Sequence, residues 1–202
     1  MTLKKASEFL KKADPVLGVA IKRIKLKPHR GDKNYFRSLC EAILSQQISV
    51  AAADTITARF CALFPGGDFP EPEQVLKAPV AGLRKAGVSR QKIAYIKDLA
   101  KAIKTGQLDI KDFSRHTDEE VIVALTRVKG IGQWTAEMFM MFSLNRPNVF
   151  SAGDLGLQNA IKKMYGLRRH PDKKKIECLS KAWRPHRTLA ARYLWASLKL
   201  EK

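Results

Sequence analysis

The sequence of 202 residues is poor in cysteine and contains no long apolar run. Cys40, Cys61 and Cys178 are an odd number at wide spacings, which argues against both a disulfide framework and a metal-ligand cluster. We interpret them as reduced thiols. The stretch from Leu3 to Ile24 is amphipathic and interrupted by Lys and Pro, so it predicts neither a signal peptide nor a membrane span. A cytoplasmic location follows by default.

Acidic side chains are also scarce, because 19 Asp and Glu stand against 38 Lys and Arg and leave a net charge of +19. The excess lies at the two ends. Residues 1–33 carry 10 basic and 3 acidic side chains, residues 162–202 carry 13 and 3, and the residues between them carry 15 and 13. If both ends lie on one side of the fold, they form a positive surface suited to a polyanion. Charge alone leaves DNA, RNA, the ribosome and a membrane open.

The chain lacks long Gly-, Ser- or Pro-rich linkers, internal repeats and runs of alternating strand pattern. Apolar residues instead recur at steps of three and four, which predicts an all-α protein. Helices are expected near 3–12, 15–25, 34–46, 49–63, 72–78, 90–104, 118–127, 133–143, 155–165, 172–182 and 187–199, with a capping box at Thr117 and Glu120. We expect two packed helical lobes, about 34–145 and about 1–33 plus 146–202, with a cleft between them that holds the site. A monomer is the default.

The most informative stretch runs from Leu125 to Ala136 and reads as a helix, a short hairpin and a second helix. Gly130 and Gly132 are expected to turn the backbone at positive φ and to allow close approach of a ligand, while Ile131 anchors the turn in the core. The N-terminus of the second helix is suited to binding a phosphate group. An ordinary αα-hairpin capped by glycines is the alternative.

A second informative run, from Phe150 to Gly156, places Asp154 just before a predicted helix. Taken alone, Asp154 is a helix-starting residue three positions after Ser151 that stabilises the helix dipole. Together, the hairpin and this run resemble the helix-hairpin-helix superfamily of base-excision DNA glycosylases, with weaker similarity over most of 34–200. The resemblance implies a two-lobed helix-hairpin-helix glycosylase fold and makes Asp154 the catalytic carboxylate, which opposes the positive charge that develops on the sugar and orients water.

Two absences narrow the reaction that the resemblance implies. Members that also cut the backbone carry a nucleophilic Lys two residues after the second hairpin glycine, and this chain has Trp134 there. Members with an iron–sulfur cluster carry four close cysteines after the catalytic Asp, whereas Cys178 stands alone. We therefore expect a hydrolase without lyase activity, without an iron–sulfur cluster and without any redox cofactor.

The sequence is similar to the alkylbase branch of this superfamily, in which Gly-x-Gly-x-Trp-Thr-Ala is typical. Trp134 is expected to stack on a cationic methylated purine, although a core aromatic on an amphipathic helix is the alternative. Four residues later, Met138 stands where this branch often has Tyr, which makes the pocket more adaptable. The run Trp183-Arg184-Pro185-His186-Arg187 also resembles this branch and makes Trp195 the second pocket aromatic, with core packing as its alternative. Gln46 is expected to line the same pocket.

The resemblance also suggests which residues contact DNA. Gln47 is the candidate wedge that fills the gap left by the extruded base, although two polar residues capping a helix turn are the alternative for Gln46 and Gln47. The other expected contacts are Lys129, Gly130, Ile131, Gly132, Thr135, Arg184 and Arg187, with Asn145 and Arg146 as further phosphate contacts, and Arg184 and Arg187 alternatively hold the helix start. A monovalent cation held by backbone carbonyls of Val128 and Gly130 is compatible with the resemblance.

The sequence therefore predicts an enzyme of base excision repair that flips alkylated purines of the 3-methyladenine and 7-methylguanine type and hydrolyses them from double-stranded DNA, leaving an abasic site. Its location is expected to be the cytoplasm, at the nucleoid if the chain is bacterial. A glycosylase for uracil, mismatched bases or oxidised purines keeps the fold and changes the pocket. A non-catalytic helix-hairpin-helix DNA-binding module would need neither Asp154 nor the aromatic residues.

Overall fold

The structure is a computed structural model, and it describes residues 2–200. Within that range there are α-helices, two short 3₁₀ turns and no β-strand, so the predicted all-α class is confirmed. The helices are α1 Leu3–Ala13, α2 Pro15–Arg23, α3 Tyr35–Ser45, α4 Val50–Cys61, α5 Pro72–Lys77, α6 Val80–Lys85, α7 Arg90–Lys104, α8 Asp118–Thr126, α9 Gln133–Phe142, α10 Leu155–Met164, α11 Lys173–Lys181 and α12 Arg187–Ser197.

Helix starts follow the local sequence signals closely. Thr117 accepts a hydrogen bond from the Glu120 amide and the Glu120 carboxylate accepts one from the Thr117 amide, which confirms the predicted capping box of α8. Helix α6 is the one in the described range that the apolar periodicity did not predict. It has only six residues, begins after Pro79 and buries only Leu83, so it carries too little periodicity to be recognised.

The chain divides into two compact units. Asp32–Phe139 forms one of them, which we call the hairpin unit because it contains the Gly130–Gly132 turn. The described residues within Met1–Gly31 and Met140–Lys202 form the other, which we call the terminal unit. The boundaries expected from the sequence lie within six residues of these, and the predicted cleft between two lobes stays a prediction.

In the terminal unit, α12 packs against α1, α2 and α10. A buried carboxylate joins these elements: Asp14 accepts hydrogen bonds from the amide of Leu17, the indole of Trp183 at 2.8 Å and the hydroxyl of Tyr165. Burial, and then the hydrogen bond to Asp14, raise the pKa of the Tyr165 phenol well above its ordinary value. Hydrogen bonds of this kind stabilise a buried charge that would otherwise be costly.

In the hairpin unit, the long helix α7 packs against α3, α5 and α6. Its apolar side buries Ile93, Ile96 and Leu99. Two of its lysines cap other helices, because Lys92 donates to carbonyls at the end of α3 and Lys97 donates to those of Leu76 and Ala78 at the end of α5.

In the part of the chain that the structure describes, no helix combines the length and apolar character needed to cross a membrane.

Candidate functional site

The hairpin between α8 and α9 is built on two buried residues and one glycine with a left-handed backbone. Val128 and Ile131 are buried, which confirms Ile131 as an anchor of the turn. Gly130 has φ +86°, a conformation that favours glycine, and a methyl group in its place would overlap the ring of Tyr95. Gly132 does not adopt positive φ, and a Cβ added there would meet open space. The expectation of two positive-φ glycines is therefore wrong for Gly132, because Gly130 alone reverses the chain.

Two residues of helix α7, Tyr95 and Asp98, contact this hairpin. The backbone amide of Lys129 donates to the Asp98 carboxylate at 3.1 Å, while the Lys129 side chain is exposed. Tyr95 lies against Gly130 and accepts a hydrogen bond from Gln91 at 2.6 Å. Sequence reasoning missed Tyr95 and Asp98, since they lie more than thirty residues before the hairpin and belong to an otherwise ordinary amphipathic helix.

The loop between α3 and α4 lies beside the hairpin within the same unit. The Gln46 side-chain amide donates to the carbonyl of Gly130 at 2.8 Å, so Gln46 ties the loop to the turn. Gln47 is exposed and has φ +56°, a left-handed conformation that is uncommon for a residue with a side chain. Ile48 next to it is 38% exposed. The candidate wedge therefore stands at the tip of the loop, and its role in DNA stays a prediction.

The first turns of α9 separate three predicted site residues by burial. Trp134 is 49% exposed, which excludes the alternative that it is a core aromatic. Met138, one turn later, is half-buried. Thr135 is only 5% exposed, so its side chain belongs to the packed face of the helix, and only its backbone amide fits the predicted DNA contact. The contact of Thr135 with DNA stays a prediction.

Asp154 begins helix α10 in the terminal unit. It is the N-cap residue, with an extended backbone, and its Oδ1 accepts a hydrogen bond from the Leu157 amide at 2.7 Å. The amide of Asp154 donates to the carbonyl of Ser151, so Ser151 forms the turn before the cap rather than the cap itself. The capping interpretation of Asp154 is thus correct as far as it goes, and it fixes the carboxylate at the positive end of a helix.

A second donor holds the same oxygen. The indole N–H of Trp195 donates to Asp154 Oδ1 at 2.9 Å, and the Trp195 ring packs against Phe142 with centroids 5.9 Å apart. A Cβ at Gly156 would lie 3.0 Å from Asp154 Oδ1 and 3.1 Å from the Trp195 ring, so a larger residue there would require these neighbours to move by a few tenths of an ångström. Trp195 is therefore a hydrogen-bond partner of Asp154, which the sequence did not predict. Gly156 ends the run from Phe150, and sequence reasoning assigned no role to it.

The start of α12 supports the segment that leads to Asp154. Arg187 donates from Nε and Nη2 to the carbonyl of Asn148 at 3.0 and 2.6 Å, and its side chain is half-buried. Thr188 donates to the carbonyl of Arg146 at 2.6 Å. Arg187 thus holds the helix start, as one of its two predicted interpretations requires. Arg184 is exposed, and its contact with phosphate stays a prediction. Asn145, in the turn after α9, is also exposed and has φ +53°.

The two carbonyls expected to bind a cation already accept hydrogen bonds. The carbonyl of Val128 accepts from the Ile131 amide at 3.1 Å, and that of Gly130 accepts from Gln46. A carbonyl oxygen has a second lone pair, so these bonds leave one acceptor position on each. Among the described residues, no three His, Cys, Asp or Glu side chains cluster as metal ligands.

The charge of the chain is concentrated in the terminal unit. The sequence of that unit contains 23 basic and 6 acidic residues, a net +17, whereas the hairpin unit contains 15 and 13, a net +2. Both basic ends of the chain therefore belong to one unit, while the single positive surface expected from the sequence stays a prediction. A polyanion is attracted mainly by the unit that carries Asp154.

The hairpin turn before α9 and the carboxylate at the N-cap of α10 both lie within a stretch of the chain that matches a known family. Residues 40–185 match the family described as "HhH-GPD superfamily base excision DNA repair protein". The chain belongs to this superfamily, and the predicted resemblance is confirmed.

Similar proteins from a yeast and a bacterium extend the match. The chain is 38% identical over 169 residues to DNA-3-methyladenine glycosylase 1 of Schizosaccharomyces pombe, covering 83% of this chain and 74% of that protein. A solved structure of the S. pombe 3-methyladenine DNA glycosylase in complex with abasic DNA superposes with a TM-score of 0.87 at 36% identity, over 97% of each chain. The DNA-3-methyladenine glycosidase of Bacillus halodurans superposes with a TM-score of 0.86 at 39% identity, over 96% of this chain and 89% of the other.

Proposed function

We propose that this protein is a monofunctional DNA glycosylase that flips alkylated purines out of double-stranded DNA and hydrolyses their N-glycosidic bonds, leaving abasic sites. The observation that carries the proposal is the Asp154 carboxylate, fixed by the Leu157 amide and the Trp195 indole in a chain whose relatives are named 3-methyladenine glycosylases. The S. pombe relative was solved with abasic DNA, the product expected of this reaction.

The carboxylate supplies the main chemical element of the proposal. Breaking the bond between a purine and its sugar builds positive charge on the sugar, and a fixed anion opposes that charge without reorganising. Because both hydrogen bonds reach Oδ1, the plane of the carboxyl group is set before the substrate arrives. An alkylated purine that carries a positive charge is a good leaving group, so the reaction needs little acid catalysis.

The hairpin unit supplies recognition. The exposed indole face of Trp134 offers cation–π attraction to a methylated purine. The residue is Trp rather than Lys, so the amine nucleophile that would form a Schiff base is missing from this position. The Gly130 turn and the start of α9 present backbone amides to a phosphate, and Gln47 occupies the gap in the base stack.

Several expectations remain part of the proposal without carrying it. No step depends on the hairpin cation, on a redox cofactor or on an iron–sulfur cluster. A monomer acting on cellular DNA in the cytoplasm or nucleoid, and the absence of lyase activity, also stay predictions.

The decisive experiment measures release of free base from methylated duplex DNA by the wild type and by Asp154→Asn. Asn keeps an oxygen for the Leu157 and Trp195 donors but removes the charge, so cleavage should fall by about a hundredfold or more while binding to an abasic-analogue duplex is retained. Release of 3-methyladenine or 7-methylguanine by the wild type only, with strand breaks only after alkali, is the expected result.

The other outcomes assign other functions. Strand breaks without alkali would contradict the monofunctional mechanism. Release of uracil or an oxidised purine, but of no methylpurine, would move the assignment to another lesion class. Tight, salt-dependent binding with no release of any base would identify a DNA-binding module instead.

A further inference from the structure

Lys92 of helix α7 makes an unusual use of a charged side chain. Its Nζ donates to the carbonyls of Leu44 at 2.6 Å and Gln46 at 2.8 Å, at the point where α3 ends and the loop that carries Gln47 begins. The side chain is half-buried, and this burial lowers the pKa of its ammonium group. The ammonium group therefore clamps the loop backbone on both sides of Ser45.

The same face of α7 also holds the hairpin. Lys92, Tyr95 and Asp98 are spaced by three residues and project from one side of the helix. Tyr95 lies directly against Gly130, and Asp98 accepts the Lys129 amide. Helix α7 thus supports the loop at one end of this face and the hairpin at the other.

The loop and the hairpin are also joined directly. The Gln46 amide donates to the Gly130 carbonyl while the Gln46 carbonyl accepts from Lys92, so this residue is held at both ends. Its neighbour Gln47 keeps a left-handed backbone at φ +56°, a conformation that costs free energy in a residue with a side chain. Strained conformations persist only when the surroundings fix them, and Lys92 is the charged part of that surrounding.

We propose that Lys92 is a positioning residue for base extrusion: it holds the Gln46–Gln47 backbone in register with the hairpin, so that binding of the hairpin to phosphate places Gln47 in the base stack. The proposal rests on the proposed function. Lys92 touches neither the base nor the sugar in this role. It acts through the loop, and its loss should therefore impair extrusion rather than bond cleavage.

The chain contains a matched control five residues further along the same helix. Lys97 makes the same kind of bond, to the carbonyls of Leu76 and Ala78 at 3.1 and 2.7 Å, but it caps α5 rather than the loop. Lys92→Met and Lys97→Met each remove one ammonium that caps two carbonyls, and both keep an unbranched apolar stem. They should destabilise the fold to a similar extent. Any difference between the two variants in base release or DNA binding is then due to the place of each lysine in the fold.

The first measurement is single-turnover release of 7-methylguanine from two duplexes. One pairs the lesion with cytosine. In the other, called the gapped duplex, the lesion lies opposite an abasic nucleotide, so that extrusion costs less. Lys92→Met should slow release about tenfold from the paired duplex and no more than about twofold from the gapped one, because only the first requires a firm wedge. Lys97→Met should behave as the wild type on both, and Lys92→Arg should recover most of the rate.

Three results would overturn the proposal. They are an unchanged rate of Lys92→Met on the paired duplex, an equal loss on both duplexes, and an equal defect in Lys97→Met. The variants can be compared in the Gln47→Ala background as well. If Lys92 acts through this loop, Lys92→Met should add little to a Gln47→Ala defect, whereas additive effects would place its action elsewhere.

A second measurement does not depend on catalysis. The ratio of the affinities for an abasic-analogue duplex and an undamaged duplex reports insertion of the wedge, and Lys92→Met should lower this ratio about tenfold with little change in affinity for undamaged DNA. If the wild type releases no base but shows the ratio and its dependence on Lys92, the proposed function fails while the role of Lys92 stands. An unchanged ratio in Lys92→Met would reject that role whatever the chemistry.

Discussion

The indole nitrogen of Trp195 lies 2.9 Å from Oδ1 of Asp154 and donates a hydrogen bond to it. Asp154 caps the start of α10, and Trp195 lies near the end of α12, 41 positions later. The contact therefore depends on the packing of α10 against α12. It gives the carboxylate a second donor besides its own helix. A tryptophan expected to line the base pocket thus also supports the carboxylate.

Trp195→Phe should keep an aromatic ring at this position but lose the indole N–H that donates to Asp154. We expect release of methylpurine in a single turnover to fall about tenfold, with binding to an abasic-analogue duplex nearly unchanged, because a hydrogen bond that orients Asp154 is removed. Tyr193→Phe is the control, since it also removes one hydrogen bond from α12, the one to Ser7. Equal losses in both variants would mean that the effect is one of general stability.

Gly130→Ala and Gly132→Ala should differ sharply, although both glycines belong to one short motif. Alanine at 130 must adopt φ near +86° and overlap Tyr95, which should cost about 2–4 kcal/mol in unfolding free energy and weaken DNA binding. Alanine at 132 meets open space and should leave the unfolding free energy within about 0.5 kcal/mol of the wild type. Urea denaturation measures both, and similar destabilisation by the two changes would contradict the geometry of the turn.

Removing the buried carboxylate of Asp14 should be costly. Asp14→Ala leaves the buried Trp183 indole and the part-buried Tyr165 hydroxyl without this acceptor, and we expect a loss of about 3–5 kcal/mol in unfolding free energy. Glu8→Ala removes an exposed carboxylate that pairs with Lys11 on the same terminal segment, and it should change stability little. A small effect of Asp14→Ala would show that the pocket around it readily admits water.

The stability of the terminal unit should depend on pH through His186. Burial lowers the pKa of this imidazole below its ordinary 6.5, so on acidification the unfolded chain takes up a proton before the folded chain does. The contribution is present above about pH 6.5 and is lost as the pH falls through that value towards the lowered folded-state pKa. His186→Phe should flatten the decline in unfolding free energy between about pH 7.5 and 5.5, which urea denaturation across this range measures.

The salt dependence of DNA binding should follow the charge of the terminal unit. Changing the exposed Lys173, Lys174 and Lys175 to Gln should reduce the slope of log affinity against log salt concentration by about one for each phosphate that these lysines neutralise. The same net change made at Lys85, Lys101 and Lys104 of the hairpin unit should reduce it less. The reverse order would show that backbone binding is centred on the hairpin unit.

Local signals were sufficient for most of the fold. Capping residues and three- and four-residue periodicity predicted every helix of the described range except α6, and the run from Ser151 to Asp154 indicated that Asp154 starts α10. These features depend on neighbours within about one helical turn, which a single sequence displays.

The supports of the site were not predictable in this way. Lys92, Tyr95 and Asp98 act on residues between 31 and 48 positions away, and nothing in the pattern of α7 distinguishes them from a solvated helix face. The close approach of Trp195 from α12 is what makes the position of Gly156 tight. Long-range contacts of this kind become visible only when the helices are packed.

The left-handed backbone at position 47 favours glycine, whereas the proposed wedge needs a side chain at the same position. Glycine would relieve the strain and leave nothing to enter the duplex, so thermal stability and repair favour different residues at one position. In a library randomised at position 47, sorting for heat resistance should enrich glycine, while sorting for survival after alkylation should enrich residues with a side chain.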